Sequence, residues 1–191
     1  MTKFHPASLV RELIALGVRD VGENRHQEAV AKAAEVADPA LRWHFVGQLQ
    51  SNKARAVRGY ASAVHSVDRD SLVDALASDD GREPGVFLEI DLSGEPGRGG
   101  ADPGDAERLA ERVLAASGIR LLGVMGVAPL GEEPRPAFAR LREVSQRVRT
   151  LDPSAVAISA GMSGDFPAAI AEGATHLRIG TAITGKRPAP G

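Results

Sequence analysis

Short apolar segments alternate with amphipathic helical patterns along almost the whole chain, and this alternation constrains the fold more than any other feature. The apolar segments predict seven strands, at residues 18–22, 43–46, 63–67, 86–92, 121–127, 155–159 and 176–181. Helical patterns at about 8–16, 25–37, 51–58, 71–77, 105–116, 135–150 and 167–172 precede them one by one. Strands that each follow a helix predict an α/β fold with a parallel sheet covered by helices.

Two architectures satisfy this order, an open doubly wound sheet and a closed eight-stranded barrel. The first helical pattern begins near Ser8 with almost no strand before it. If residues 2–4 are the stub of an eighth strand, the count favours the barrel. No linker composition interrupts the pattern, so we expect a single domain over residues 1–185, followed by a short tail at 186–191.

Charge and composition exclude several classes of function. The chain has 23 Lys and Arg against 25 Asp and Glu, and this net charge of −2 disfavours a nucleic-acid binder or a membrane-surface protein. The absence of cysteine excludes disulfides and thiolate zinc sites. The sequence shows no leader and no apolar run long enough to span a bilayer. We therefore expect a cytoplasmic protein, acting as a monomer on a small ligand.

Two glycine-containing segments follow the last two predicted strands and suggest a phosphate site. The first, at 159–165, places Ser163 between two glycines where the next helix begins, and the second, at 178–181, ends in Gly180 and Thr181. Backbone N–H groups converge in such loops, and the loops after strands seven and eight of a barrel commonly bind phosphate. Tight turns between strands and helices are the alternative explanation. The segments favour a phosphorylated ligand.

Lysine is rare in this chain, with four Lys among the 23 basic residues. Lys32 lies in a helical pattern and Lys186 in the tail, where solvated charges are expected, and Lys53 falls in the first turn of a helix. Lys3 is the lysine at the carboxyl end of a candidate strand. Lysine forms Schiff bases and arginine does not. A Schiff-base lysine beside a phosphate site suggests either pyridoxal 5'-phosphate (PLP) or a phosphosugar aldolase.

Several separate motifs, in order along the chain, resemble the pyridoxal phosphate homeostasis protein family. They are Thr-Lys-Phe-His-Pro at 2–6, Gly-Glu-Asn-Arg at 22–25, Trp-His-Phe-Val-Gly-Gln-Leu-Gln-Ser-Asn-Lys at 43–53, His-Ser-Val-Asp at 65–68, Gly-Met-Ser-Gly-Asp at 161–165 and Arg-Ile-Gly-Thr-Ala at 178–182. The resemblance implies a (β/α)8 TIM barrel of PLP fold-type III, similar to the N-terminal domain of alanine racemase. It disfavours the aldolase.

The resemblance also implies a set of cofactor-binding residues. Lys3 matches the lysine that holds PLP as an internal aldimine, Asn24 and His65 match positions that line the cofactor ring, and Met162 lies beside them. Ser163, Gly180 and Thr181 match phosphate-binding positions. Arg178 matches an arginine directed at the pyridine nitrogen. A permanent cation there disfavours protonation of the ring, which makes the cofactor a poor electron sink.

Two functions of different class remain after this resemblance. The first is a non-catalytic PLP carrier or regulator in vitamin B6 homeostasis, with PLP-dependent apoenzymes as possible recipients. The second is an amino-acid racemase, which needs a further acid–base group facing the lysine. Tyr60 is the one tyrosine and is expected far from the site, while His65 is expected to pack near the ring. We therefore expect no catalytic residue, and the histidine spacing predicts no metal site.

The chain also departs from the family pattern. Family members carry some tens of residues before the lysine motif, so the resemblance implies a barrel with the first helix and most of strand 1 missing. We accordingly expect Lys3 to lie on a fraying terminus and to bind PLP loosely. Many members have Asn where Asp91 stands, and the glycine-rich loop at 94–101 lacks the usual lysine.

Overall fold

Six parallel strands form one sheet in the computed structural model of the chain, which describes residues 1–95 and 97–185. Strand order in the sheet follows chain order, and each neighbouring pair is parallel. The strands are β1 (Asp20–Glu23), β2 (Arg42–Phe45), β3 (Ala63–Val67), β4 (Gly85–Ile90), β5 (Arg120–Gly126) and β6 (Ala157–Ser159). The predicted parallel α/β architecture is confirmed.

Helices connect the strands and cover one face of the sheet. They are α1 (Ala7–Ala15), α2 (His26–Val36), α3 (Ser51–Arg58), α4 (Asp70–Leu76), α5 (Ala106–Leu114), α6 (Pro134–Leu151), α7 (Phe166–Ala171) and α8 (Thr181–Thr184). In the part of the chain that the structure describes, no helix has an apolar stretch that would reach across a bilayer. The predicted tail at 186–191 lies outside the described residues.

Helix α5 shows why these segments fold as they do. Its buried residues are Ala106, Leu109, Ala110 and Val113, a spacing of three and four that forms one apolar stripe. Arg108 and Arg112 fall on the other side and contact the carboxylates of α4. The stripe packs on the sheet while the charged side faces solvent.

The sheet itself has two apolar faces. Val86, Leu88 and Ile90 of β4 belong to the large core between sheet and helices, whereas Phe87 packs on the opposite face with Ala63, Met125 and Ala157. This second layer takes one residue from each of the strands β3 to β6, as in the interior of a barrel. Because β4 is buried on both faces, its sequence is almost continuously apolar.

Backbone contacts continue beyond both edges of the sheet. Thr2 donates its N–H to the Gly22 carbonyl on β1 at 3.0 Å, and the amino group of Met1 donates to the Ile179 carbonyl at 2.5 Å. At the other edge, His176 pairs with Ser159 in an isolated bridge. The ends of the sheet are thus connected through residues 1–2 and 176–179.

Two expectations about the ends of the chain need correction. The segment 176–181 is not a strand, because its pairing with β6 is limited to a few hydrogen bonds and the chain turns at Gly180 into the unpredicted helix α8. The segment around Lys3 is not a loose end. Thr2 is 1% exposed and hydrogen-bonded to β1, so residues 1–2 are held against the sheet rather than frayed.

Candidate functional site

A cavity of about 430 Å³ opens at the carboxyl ends of the strands, and we call it the carboxyl-end cavity. Asn24 follows β1, Val46 follows β2, Val127 follows β5 and the segment 162–164 follows β6. Its size is within the range of small-molecule sites. Seven of the eight residues predicted to bind cofactor line it: Lys3, Asn24, Met162, Ser163, Arg178, Gly180 and Thr181.

The structure places the eighth predicted residue, His65, elsewhere. His65 lies in the middle of β3, is 2% exposed and does not line the carboxyl-end cavity. It faces a second cavity, of about 490 Å³, where Asp20, Arg42 and Ala63 begin their strands. We call this the amino-end cavity. The two cavities lie at opposite ends of the same strands.

The backbone around Lys3 is held by a buried ion pair. The Lys32 ammonium lies 2.8 Å from Glu23 Oε1 and donates to the Thr2 carbonyl at 2.8 Å. The Thr2 hydroxyl donates to the same carboxylate oxygen at 2.6 Å. On the other side of Lys3, the Phe4 N–H donates to Glu28 Oε2 at 3.1 Å. Lys3 is exposed at a position whose flanking residues are fixed.

The expectation that Lys32 is a solvated charge is therefore wrong. Its side chain is 10% exposed and its partner Glu23 is 1% exposed. Lys32 lies one turn after the buried Ala29 on the inner face of α2, and this spacing is the signal that could have placed it inward. Lys53 is exposed and does not line the carboxyl-end cavity. Lys186 lies outside the described residues.

Hydroxyl groups from two loops meet at one side of the carboxyl-end cavity. The Thr181 hydroxyl lies 3.4 Å from the Ser163 hydroxyl, at the limit of a hydrogen bond. Both hydroxyls can therefore also hydrogen-bond to a ligand. Gly164 has open space where a side chain would start, and Gly180 precedes helix α8. Two hydroxyls and glycine backbone provide the donor types that bind a phosphate.

Arg178 forms the floor of the carboxyl-end cavity. Its Nη1 donates to the Ser159 carbonyl and hydroxyl, both at 2.8 Å, and its Nη2 donates to the Gly126 carbonyl at 2.9 Å. Burial lowers the pKa of this guanidinium to about 10, so it remains a cation at neutral pH. Among the described residues its hydrogen bonds use only the two Nη atoms. The Nε–H therefore has no protein partner there.

Glu89 lines the same cavity and was missed by sequence reasoning. Burial, and then the nearby Asp68 carboxylate, raise the pKa of Glu89 to about 7. Its Oε2 is buried without a hydrogen-bond partner in the described structure, as is Asn24 Oδ1. A charged residue within the apolar β4 was the available signal. The two orphaned oxygens give the cavity hydrogen-bond acceptors for a ligand.

A close backbone approach holds Asn24 at the cavity. A Cβ at Gly47 would lie 2.0 Å from the Asn24 carbonyl oxygen, so only glycine allows the loops after β1 and β2 to pack this closely.

Within the described residues, no group of three or more His, Cys, Asp or Glu side chains is arranged to hold a metal ion. The carboxyl-end cavity combines an amine, two hydroxyls and a buried guanidinium with the acceptor oxygens of Asn24 and Glu89.

Comparison with known proteins identifies similar sequences and structures. The model of the alanine racemase N-terminal domain matches residues 3–188. The pyridoxal phosphate homeostasis protein of Pseudomonas aeruginosa is 44% identical over 193 residues, covering 98% of this chain and 83% of that protein. PipY of Synechococcus elongatus with PLP bound is 39% identical, with a TM-score of 0.88 over 96% of this chain and 90% of that one.

A more distant likeness concerns the fold alone. Alanine racemase of Corynebacterium glutamicum superimposes with a TM-score of 0.77 at 16% identity, over 95% of this chain and 53% of the racemase chain. The likeness therefore extends over about half of that enzyme.

Proposed function

The chain belongs to the family of pyridoxal phosphate homeostasis proteins, which has the alanine racemase N-terminal domain fold, and we propose that it binds PLP in the carboxyl-end cavity. It is a PLP-binding protein of vitamin B6 homeostasis. The observation that carries the proposed site is the convergence of an exposed lysine, paired hydroxyls and a buried arginine on one cavity. The binding unit proposed is one α/β domain of PLP fold-type III over residues 1–185, in which six parallel strands form a half-barrel.

The residues of the carboxyl-end cavity fit the chemical groups of PLP. Bound PLP supplies an aldehyde for a lysine amine, a phosphate dianion, a phenolic hydroxyl and a pyridine nitrogen. The orphaned Asn24 Oδ1 supports this fit, because a buried acceptor without a partner requires a donor such as a hydroxyl. Met162 supplies apolar surface at the rim of the cavity.

Each proposed ligand residue has a definite task. Lys3 holds the cofactor covalently through its amine, and the fixed backbone at Thr2 keeps that amine at the cavity. Ser163, Gly180 and Thr181 donate to the phosphate. Arg178 would hold the pyridine nitrogen through its unused Nε–H and, as a fixed cation, would disfavour protonation of that atom.

This placement favours a carrier or regulator over an enzyme. A racemase needs a second acid–base group facing the lysine, and neither residue considered from the sequence supplies one. Tyr60 and His65 are both absent from the lining of the carboxyl-end cavity. Arg178 also withholds the electron-sink function that racemisation would use. We propose that the protein delivers or stores PLP for PLP-dependent apoenzymes and has no robust catalytic activity.

Two measurements test the proposed function together. Absorbance of the protein titrated with PLP should show a lysine-linked cofactor that borohydride reduction converts to a stable form. The saturated protein is then incubated with L-alanine, and the chirality of the amino acid is followed. Retained chirality agrees with a carrier. Rapid conversion to the racemate would establish the alternative, a PLP-dependent racemase, and Glu89→Gln would show whether that carboxyl acts as the second base.

A further inference from the structure

Hydrogen bonds link five side chains one to the next in the interior of the protein. Asp20 Oδ1 lies 2.9 Å from His44 Nε2, and His44 Nδ1 lies 2.9 Å from His65 Nε2. His65 Nδ1 lies 2.9 Å from the Ser159 hydroxyl, which Arg178 Nη1 contacts at 2.8 Å. We call these five residues the interior chain. It runs from the amino-end cavity to the floor of the carboxyl-end cavity.

The chemistry of the two ends gives the interior chain one direction. Arginine only donates, so the Ser159 oxygen accepts from Arg178. The Asp20 carboxylate only accepts, so neutral His44 and His65 both donate towards it, and His65 Nδ1 is left to accept the Ser159 hydroxyl proton. His65 Nδ1 then accepts, and a neutral ring carries its proton on Nε2 and donates to His44. His44 in turn donates from Nε2 to the Asp20 carboxylate. Every donor points from Arg178 towards Asp20.

The surroundings favour neutral imidazole at the centre of the interior chain. His65 is 2% exposed and stacks on Phe87 with ring centroids 4.2 Å apart. Burial lowers the pKa of His65 well below its ordinary value, and the nearby His44, Arg178 and His176 lower it further. The charged and titratable groups facing the two chain imidazoles are Asp20, Arg42, His176 and Arg178.

We propose that His65 and Ser159 are positioning residues that hold Arg178 against the cofactor, and that the interior chain couples protonation at the amino-end cavity to PLP binding at the carboxyl-end cavity. The proposal rests on the proposed function. In this proposal His65 does not line the cofactor ring. It acts on the cofactor indirectly, through its hydrogen bond to Ser159 and the contact of Ser159 with Arg178.

The direction of the interior chain predicts how acid disrupts it. A proton added to His44 makes both of its nitrogens donors, so His65 must accept at Nε2 and carry its proton on Nδ1. Ser159 then faces a donor on both sides, and its hydroxyl proton loses its acceptor. Arg178 keeps its two carbonyl contacts, but the Ser159 hydroxyl that it contacts must reorient. Protonation of His44 is therefore expected to lower PLP affinity, which is compared at pH 8 and pH 6.

Substitutions at His65 separate shape from hydrogen bonding. His65→Phe keeps a ring against Phe87 but removes both hydrogen bonds, and we expect PLP to bind about three- to tenfold more weakly at pH 8. His65→Gln can accept from Ser159 and donate to His44 without titrating. It should retain wild-type affinity and the wild-type spectrum at pH 8, whereas His44→Gln removes the imidazole that acid protonates and should flatten the loss at lower pH.

Two further variants complete the test. Ser159→Ala should match His65→Phe, and the double variant should be no weaker than either single one, because both remove the same link. His176→Phe is the control, since His176 lies in the amino-end cavity but hydrogen-bonds Thr175 rather than the interior chain. It should leave PLP affinity at pH 8 unchanged.

The readouts are PLP affinity, the absorbance spectrum of bound PLP and melting temperature at both pH values. Wild-type affinity, spectrum and pH profile in both His65→Phe and Ser159→Ala would overturn the proposal while leaving PLP binding intact. Absence of PLP binding in the wild type would instead refute the proposed function. If His65→Phe does not fold, Ser159→Ala and the pH profile of His44→Gln decide the question.

Discussion

The two cavities at opposite ends of the strands are similar in volume, about 430 and 490 Å³, but differ in how their polar groups are satisfied. At the carboxyl end, Lys3 and Thr181 are exposed and the Ser163 hydroxyl has one long contact. At the amino end, Asp20 and His44 belong to the interior chain, where His44 hydrogen-bonds to both Asp20 and His65. Cavity size therefore does not distinguish the two cavities, whereas unused hydrogen-bond capacity favours the carboxyl-end cavity as the proposed ligand site.

The difference also concerns how each end is supported. The exposed groups of the carboxyl end rest on a buried ion pair, Glu23 with Lys32, that fixes the backbone before Lys3. The amino end rests on contacts between strand residues themselves. Met1, Val46 and Arg178 line both cavities and connect the two ends.

The largest expected effect comes from the support of the carboxyl end. Lys32→Met leaves the Glu23 carboxylate buried without its cation, and we expect the free energy of unfolding to fall by about 3–5 kcal/mol. Arg11→Met is the matched control, because it breaks the exposed pair with Glu35 and should cost less than about 1 kcal/mol. Urea denaturation measures both. Equal losses in the two variants would show that the buried pair does not support this end.

The next largest effect concerns the hydroxyls of the carboxyl end. Ser163→Ala and Thr181→Ala each remove a donor to the phosphate dianion, which corresponds to about 1.5–3 kcal/mol, or roughly ten- to hundredfold in PLP affinity. Ser117→Ala changes an exposed serine that precedes the amino end of β5 and should leave affinity unchanged. Titration followed by absorbance gives the values. Wild-type affinity in both cavity variants would remove the assigned phosphate site.

A smaller, pH-dependent effect is expected at Glu89. Because burial raises its pKa to about 7, folding becomes less favourable as pH rises from the ordinary value of 4.5 through 7. Glu89→Gln should therefore stabilise the protein by about 1–3 kcal/mol above pH 7, and this gain should vanish towards pH 4.5. Glu111→Gln, on the exposed side of α5, is the control. A gain independent of pH would contradict the assigned ionisation.

The smallest effect is expected at the solvent end of the interior chain. Hydrogen bonds from Arg42 and His44 lower the pKa of Asp20 to about 2, so this contribution is present above the ordinary pKa and is lost as pH falls towards 2. Because Asp20 is half-exposed, Asp20→Asn should cost less than about 1 kcal/mol at pH 7. Thermal unfolding at several pH values tests this. A large loss at pH 7 would place Asp20 in a structural role.

The sequence was sufficient for most of the fold because its periodicity is strong. Six of the predicted strands and the helices between them are present, since buried parallel strands are apolar throughout and helices show a stripe every three to four residues. The prediction of a strand at 176–181 was wrong because Leu177 and Ile179 alternate with polar residues, as apolar residues do in a strand. Helix α8 has four residues, too few for a periodic pattern.

The site was predictable only where its residues lie in contiguous motifs. Ser163 and the pair Gly180 and Thr181 follow strand ends, where glycine and hydroxyl residues are visible in sequence. The interior chain is not visible in the sequence, because four of its members come from four different strands and Arg178 follows the last of them, and which side chains face each other depends on register. A register shift between Val64 and Val67 changes the pairing of β3 with β4 around His65. No local pattern specifies that shift. The tail at 186–191 and the monomeric state remain predictions.

The central claim is that the carboxyl-end cavity binds PLP through Lys3, and peptide mapping after reduction tests it most directly. The protein is saturated with PLP, reduced with borohydride and digested, and the modified lysine is located by mass spectrometry, with Lys3→Ala as the control. The account predicts the pyridoxyl group on Lys3 and its loss in Lys3→Ala. A pyridoxyl group found only on Lys53 or Lys186 would contradict it.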